Sequence, residues 1–220
     1  SFTVIFALLF LVHANLLKGQ NNEVGYAPKS RILFIFDASN SMAGQWDGEV
    51  KIDIAKRILI EMVDSLESMD NVEMALRVYG HQSPVPPQDC DDTKLEVPFS
   101  PNNASRIRQK LRFITPKGTT PIAHSLALSP EDFPPCDRCR NIIVLITDGV
   151  NNSGSIAPQT AGEIALTFGV RVYSVGVGTR GMAPYPVQTL FGVQYQNMEV
   201  QIDEDLLTSV AEATDGRYYR

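Results

Sequence analysis

Short apolar runs alternate with amphipathic segments along most of this chain. The two clearest apolar runs, residues 32–36 and 141–147, have the length and the branched side chains of buried strands. Between residues 51 and 69, apolar side chains recur at three- and four-residue steps, which indicates a helix with one apolar face. This alternation predicts an α/β fold with a doubly wound, mostly parallel central sheet and helices on both faces.

The weaker patterns extend the same alternation to the end of the chain. Further strands are predicted at residues 72–79, 94–99, 170–177 and 217–220. Further helices are predicted at residues 102–113, 122–128, 157–168 and 203–214. Loops, rich in glycine, proline or polar residues, are predicted at residues 80–93, 129–140 and 178–198.

The composition is that of an ordinary globular protein. Of the 220 residues, 44% are hydrophobic and 20% are charged, which suits one domain with a short appendage. The formal net charge is -6, and no cluster of Lys or Arg is visible. The sequence therefore lacks the basic surface that nucleic-acid binding requires.

The appendage is the N-terminal segment. Residues 2–12 are almost wholly apolar, and the polar residues His13 and Asn15 follow. The run is too short to span a bilayer comfortably, so residues 1–20 are predicted to be a secretory signal peptide or a single anchor associated with the membrane. Either alternative exports the protein. Residues 21–30 are predicted to be a linker, and residues 31–220 the folded domain.

The chain contains three cysteines, Cys90, Cys136 and Cys139. In an exported protein, the first expectation is a structural disulfide from Cys90 to Cys136 or Cys139. Free thiols are the second alternative. Redox or metal chemistry is the third, because a redox pair usually opens a helix, whereas this pair follows two prolines and precedes a strand.

Carboxylate and hydroxyl side chains follow the two strongest predicted strands. Asp37, Ser39 and Ser41 come directly after the first strand, and Asp148 comes directly after the second. In an open parallel sheet the carboxyl ends of strands meet at one edge, where ligands bind. These side chains are therefore predicted to lie close together, although Asp37 or Ser39 alone would also suit a turn or helix cap.

A threonine from residues 118–121, just before a predicted helix, can join this group at the same edge. Carboxylate and hydroxyl oxygens without a thiol or an imidazole suit Mg²⁺, or alternatively Mn²⁺ or Ca²⁺, better than zinc or copper. Because Mg²⁺ takes about six oxygen ligands, this group leaves room for a ligand from outside the chain.

Three motifs, in this order, resemble the metal-ion-dependent adhesion site of a von Willebrand factor type A domain. They are Asp37-Ala38-Ser39-Asn40-Ser41, Gly118-Thr119-Thr120-Pro121 and Thr147-Asp148-Gly149. The resemblance extends from about residue 31 to residue 220 and implies the doubly wound fold that the pattern also predicts.

The same resemblance implies a role for each site residue. Ser39, Ser41 and Thr120 would coordinate the metal, while Asp37 and Asp148 would bind it directly or through water. An acidic residue of a partner protein would complete the coordination shell. Thr119 stands where the family has its second glycine, so the Thr119 hydroxyl is the alternative to that of Thr120.

The part after residue 150 further resembles the Bat-type proteins of bacteria, which are linked to aerotolerance. The part before residue 147 is more similar to other secreted bacterial members of the family. These resemblances imply a place in the periplasm or cell envelope of a bacterium. Bat-type proteins usually continue into a further helix and a membrane anchor, so the domain is expected to be truncated at its C-terminus.

Motifs for competing functions are missing from the sequence. It contains neither the phosphate-binding GxxxxGK[ST] pattern nor the GxSxG elbow of a serine hydrolase, and His81 and His124 are interpreted as surface or cap residues. The main hypothesis is a non-enzymatic, Mg²⁺-dependent interaction module. The alternatives are a metal-dependent hydrolase of phosphate esters and a structural domain whose site stays empty.

Overall fold

The computed structural model describes residues 28–149, 156–178, 180–189, 192–200 and 202–220. The predicted signal peptide or anchor, and most of the predicted linker, lie outside these residues. No helix in the described part of the chain is both long enough and apolar enough to cross a membrane.

Strands and helices alternate as the hydrophobic pattern predicts. The described strands are β1 (Ser30–Asp37), β2 (Gln45–Trp46), β3 (Glu49–Val50), β4 (Val72–Tyr79), β5 (Thr93–Ser100), β6 (Arg140–Thr147), β7 (Val170–Gly176), β8 (Gly181–Thr189), β9 (Gly192–Val200) and β10 (Tyr218–Tyr219). The described α-helices are α1 (Lys51–Glu67), α2 (Ala104–Leu111), α3 (Ile122–Leu128), α4 (Pro158–Thr167) and α5 (Glu204–Glu212). Short 3₁₀ helices cover Asn40–Ala43 and Ser129–Asp132.

The central sheet has the strand order β10-β7-β6-β1-β4-β5. Every neighbouring pair is parallel except β4 and β5, which are antiparallel, and β5 is the edge strand on that side of the sheet. In the register of the sheet, Asp37 at the end of β1 lies beside Tyr79 of β4, and Phe36 lies beside Ile146 of β6. The three strands therefore end at the same level, and the predicted fold class is confirmed.

Residue alternation in β1 builds both halves of the core. Phe34 and Phe36 are fully buried on the face covered by α1 and α2. Leu33 and Ile35, at the intervening positions, are fully buried on the face covered by α3, α4 and α5. Burial of each side chain contributes roughly 1.5–3 kcal/mol, which holds β1, and Asp37 at its end, in the middle of the sheet.

The segment 178–198, predicted to be a loop, contains an antiparallel hairpin instead. β8 and β9 pair over their full length, from Gly181 opposite Val200 to Thr189 opposite Gly192. The prolines at positions 184 and 186 suggested a loop because proline cannot donate to a strand ladder. In a two-stranded sheet, however, alternate residues direct their amides away from the partner strand, and these two prolines occupy alternate positions.

The disulfide predicted between Cys90 and Cys136 or Cys139 is also wrong. Cys136 is bonded to Cys139 across a Cα–Cα distance of 5.6 Å, and Cys90 is free and exposed. Cys90 lies in the loop that follows the carboxyl end of β4, whereas the other two cysteines precede the amino end of β6. One position lies at the carboxyl ends of the parallel strands and the other at their amino ends, so the cysteines are too far apart to pair.

Candidate metal site

Asp37 is the last residue of β1, and its side chain is fully buried at the carboxyl edge of the sheet. Its Oδ1 accepts a hydrogen bond of 2.8 Å from the backbone N–H of Ser39. Its Oδ2 accepts one of 2.6 Å from the Thr147 hydroxyl at the end of β6. These two contacts hold the carboxylate in one orientation between the two central strands.

Two carboxylates close together in a buried site raise the pKa of Asp37. Its pKa is raised to about 6, mainly by burial and next by the carboxylate of Asp148, although the hydrogen bonds from Ser39 and Thr147 lower it. A cation bound beside both carboxylates would favour their ionised forms and lower this pKa.

Ser39 and Ser41 present their hydroxyls side by side. Ser39 is fully buried, and its Oγ lies 3.1 Å from the Oγ of Ser41. Ser39 also forms a parallel bridge with Gly118, and the Asn40 N–H donates to the Gly118 carbonyl at 2.8 Å. The loop after β1 is therefore joined by its backbone to the segment that carries the candidate threonines.

The two candidate threonines are both buried, just before α3. The Thr119 hydroxyl donates to the backbone carbonyl of Asp89, in the loop between β4 and β5. Thr120 is fully buried, at the start of the turn into α3. The Thr119 hydroxyl is thus engaged with the neighbouring loop, while Thr120 remains a predicted ligand.

Asp148, directly after β6, is 1% exposed. Its Oδ2 accepts a hydrogen bond of 3.1 Å from the Lys51 ammonium. Its Oδ1 is also buried, and no hydrogen-bond partner for it exists among the described residues. A buried carboxylate oxygen without a partner is costly, so this atom fits a cation or a polar ligand that completes the site.

Lys51 is a site residue that the sequence analysis missed. It is the first residue of α1 and is 2% exposed. A signal was present, because Lys51 lies four residues before Ala55 and eight before Leu59, both of which are fully buried. A lysine on the apolar stripe of a helix requires a buried partner.

The donor set decides which cations suit the site. In the described part of the chain, no group of three or more His, Cys, Asp or Glu side chains is arranged to hold a metal ion. A cation at this edge would therefore depend on the hydroxyls as well as on the two carboxylates. Such oxygen donors fit Mg²⁺, Mn²⁺ or Ca²⁺, which agrees with the chemistry predicted from the sequence.

Comparison with known sequences identifies a family. A sequence model of the von Willebrand factor type A domain matches residues 32–190, which confirms the resemblance carried by the three motifs. The uncharacterized protein YwmD of Bacillus subtilis (strain 168) is 32% identical over 130 residues, a match that covers 57% of this chain and 57% of YwmD. The matched part thus spans little more than half the length of that relative.

Solved structures share the fold. An aerotolerance-related membrane protein from Bacteroides fragilis NCTC 9343 superimposes with a TM-score of 0.71 at 24% identity, over 87% of this chain and 90% of that chain. Proximal thread matrix protein 1 from the mussel byssus, described with a zinc-occupied MIDAS motif, has a TM-score of 0.61 at 19% identity. That match covers 87% of this chain and 41% of the mussel protein.

Proposed function

Because the chain belongs to the von Willebrand factor type A family, we propose that it is a metal-dependent protein-interaction module. In this proposal a divalent cation is held by five side chains, Asp37, Ser39, Ser41, Thr120 and Asp148. An acidic side chain of a protein partner would bind to that cation. The observation that carries the proposal is the buried Oδ1 of Asp148, which has no hydrogen-bond partner among the residues that the structure describes, near the second buried carboxylate, Asp37.

The proposed ligands differ in the charge that they bring to the cation. Asp37 supplies negative charge from a position held by Ser39 and Thr147. The paired hydroxyls of Ser39 and Ser41 supply neutral oxygens, which limits the negative charge of the site. A site with only two carboxylates leaves a divalent cation able to bind one more anionic oxygen, and this is the place for the partner.

Mg²⁺ is the proposed physiological ion, with Mn²⁺ or Ca²⁺ as alternatives. The mussel protein shows that a related fold is described with a zinc-occupied motif of this kind. In the present chain the candidate ligands are oxygen atoms alone, which favours the harder cations. The binding role also suits the chemistry of the site, because the hydroxyls of Ser39 and Ser41 lie side by side, 3.1 Å apart, as two neutral oxygen donors.

The proposed location is the bacterial cell envelope. Two observations support it: the apolar segment 2–12 in the sequence, and the similarity in fold to a bacterial membrane protein. The partner would then be another envelope protein that presents an exposed Asp or Glu.

The test of the proposed function is Asp37→Ala, with Mg²⁺ and Mn²⁺ binding measured by calorimetry. We expect binding to weaken at least about tenfold, because the buried negative charge that attracts the cation is lost. Thr120→Val, which replaces the hydroxyl with a methyl group of similar size, should also weaken binding. Asp70→Ala, an exposed carboxylate at the turn after α1, is the control and should bind as the wild type does.

Metal binding that is undiminished in folded Asp37→Ala would remove the site assignment. Turnover of phosphate esters in the presence of Mn²⁺, abolished by the same substitution, would replace the interaction module by a hydrolase. Circular dichroism of each variant checks that the fold is retained.

A further inference from the structure

We propose that Lys51 is a resident positive charge of the metal site, which weakens cation binding and makes the loaded site selective for an anionic partner group. This inference rests on the proposed function, since it assigns a role to a residue outside the ligand set. It predicts opposite effects of one substitution on the affinities for the cation and for the anion.

The position of Lys51 supports a role at the site. Its side chain is 3% exposed, and its Nζ lies 3.1 Å from Asp148 Oδ2. The backbone of Lys51 is anchored to the loop after β1, because its N–H donates to the Gly44 carbonyl at 2.9 Å. The start of α1 therefore holds the ammonium group at the carboxyl ends of the strands, where it is buried.

The ion pair leaves Asp148 able to bind a cation. Lys51 engages only Oδ2, whereas Oδ1 is buried and has no hydrogen-bond partner in the described part of the chain. A cation can approach Oδ1 while the ammonium group stays on Oδ2. Lys51 would then remain in the loaded site and repel the cation across the carboxylate that both share.

Charge balance explains what such a lysine achieves. Asp37 and Asp148 carry two formal negative charges when both are ionised, and these would neutralise a divalent cation completely. The ammonium group of Lys51 leaves the loaded site with one net positive charge. A single carboxylate from a partner then makes the buried complex neutral, which is the arrangement of lowest cost away from water.

Without Lys51 the same complex would carry a net negative charge. The cation would bind more tightly to the two carboxylates, and a further carboxylate would bind less tightly to the neutral site.

The alternative role for Lys51 is a purely structural one, since its ion pair with Asp148 also joins α1 to the end of β6. A structural role would change stability but would not shift the two affinities in opposite directions.

The experiment uses Lys51→Met, which keeps the length of the side chain and removes the charge. Mn²⁺ binding is measured by calorimetry, and acetate, as the simplest carboxylate, is titrated into the Mn²⁺-loaded protein while water proton relaxation is recorded. We expect Mn²⁺ to bind at least about tenfold more tightly and acetate at least about tenfold more weakly than in the wild type. Lys51→Gln, which also removes the charge but keeps an N–H donor for Asp148, should show the same pair of changes.

Lys56→Met is the matched control. Lys56 lies on the same helix, and its Nζ donates to the Ile114 carbonyl at 2.7 Å rather than to a site residue. Both affinities should therefore equal those of the wild type. If neither Lys51→Met nor Lys51→Gln folds, both titrations are made with Lys51→Arg. This variant keeps the charge and should retain both wild-type affinities.

The outcomes separate this inference from the proposed function. Wild-type protein that binds no Mn²⁺ overturns both. Wild-type protein that binds Mn²⁺, together with Lys51→Met or Lys51→Gln that binds Mn²⁺ and acetate unchanged, overturns the inference alone. If the Arg variant has to be used, loss of acetate binding in it likewise overturns the role of the charge.

Discussion

Gly80 allows three loops of the site to approach one another. It follows β4 with a φ of +69°, and a Cβ at this position would lie 2.6 Å from both Ser39 Cα and the Thr119 carbonyl oxygen. Its own carbonyl accepts the N–H of Gly118 at 2.8 Å. Only a residue without a side chain can occupy this point, so the approach of the proposed serine and threonine ligands depends on it.

We expect Gly80→Ala to destabilise the fold by roughly 2–5 kcal/mol, from about 1–2 kcal/mol for a positive φ and about 1–3 kcal/mol for overpacking. It should also weaken metal binding, because the loops that carry the ligands must separate. Urea unfolding and calorimetry measure the two effects.

The control for this prediction is Gly169→Ala. Gly169 has a similar φ of +68°, but nothing lies within 4 Å of the position where its Cβ would be. It should show the conformational cost alone and bind metal normally. Equal losses of stability in the two variants would contradict the argument from close approach.

At the scale of elements, a second cluster of charges joins β5, α2 and the loop after β4. The Glu96 carboxylate in β5 is 6% exposed and contacts Lys110 of α2, Lys94 of its own strand at 3.3 Å, and His81 at 2.9 Å. His81 was interpreted as a surface or cap residue, but its side chain is only 8% exposed. The residues next to His81 in the sequence did not predict its contact with Glu96, which lies 15 residues away.

This cluster should make the fold sensitive to acid. Burial tends to raise the pKa of Glu96, but hydrogen bonds from Lys110, His81 and Lys94 outweigh burial and lower it from 4.5 to about 2. As pH falls from about 4.5 to about 2, the unfolded chain takes up a proton that the folded chain does not. The stability contributed by Glu96 is therefore fully present above pH 4.5 and is lost across this range.

Glu96→Gln should remove this part of the acid sensitivity, with up to one proton less taken up on unfolding. The measurement is the free energy of unfolding as a function of pH. Glu212→Gln, an exposed carboxylate at the end of α5, is the control and should keep the wild-type slope. A wild-type slope in Glu96→Gln would show that the cluster does not favour the ionised carboxylate.

The hairpin of β8 and β9 acts on the site through one side chain. The Tyr185 hydroxyl donates a hydrogen bond of 2.8 Å to the carbonyl of Asn40, between the two serines of the site. Burial and the nearby charge of Asp148 raise the pKa of Tyr185 to about 12, so the hydroxyl remains a donor at neutral pH. An element that the sequence suggested was a loop thus supports the proposed ligands.

At the scale of the whole molecule, cation binding should stabilise the fold. The proposed ligands come from the ends of β1 and β6 and from the turn before α3, and unfolding would separate them. A ligand that binds only the folded state at 100 times its dissociation constant adds about 2.7 kcal/mol of stability. For a domain of this size, that corresponds to a rise of roughly 5–10 °C in Tm.

Removal of the metal with EDTA should therefore lower the Tm by roughly this amount, and added Mg²⁺ should restore it. Thermal unfolding followed by circular dichroism measures the change. Asp37→Ala should show a smaller difference in Tm between EDTA and Mg²⁺ than the wild type, because it binds the cation more weakly. The absence of any shift in the wild type would favour a structural domain whose site stays empty.

The local pattern of the chain was enough to predict the sheet, its helices and the edge at which the candidate ligands gather. Strand and helix periodicities are properties of neighbouring residues, and the position of Asp37 and Asp148 after apolar strands follows directly from them. The central strands β4 and β6 accordingly lie within a residue of their predicted bounds.

Contacts between distant parts of the chain needed the tertiary structure. Lys51 and Asp148 are 97 residues apart, and they meet only because α1 packs on β1 while β1 pairs with β6 in one register. The disulfide within residues 136–139 and the burial of His81 depend in the same way on which elements become neighbours. Periodicity shows which face of an element is buried but not what lies against it, so the charge that balances the site became visible only in the fold.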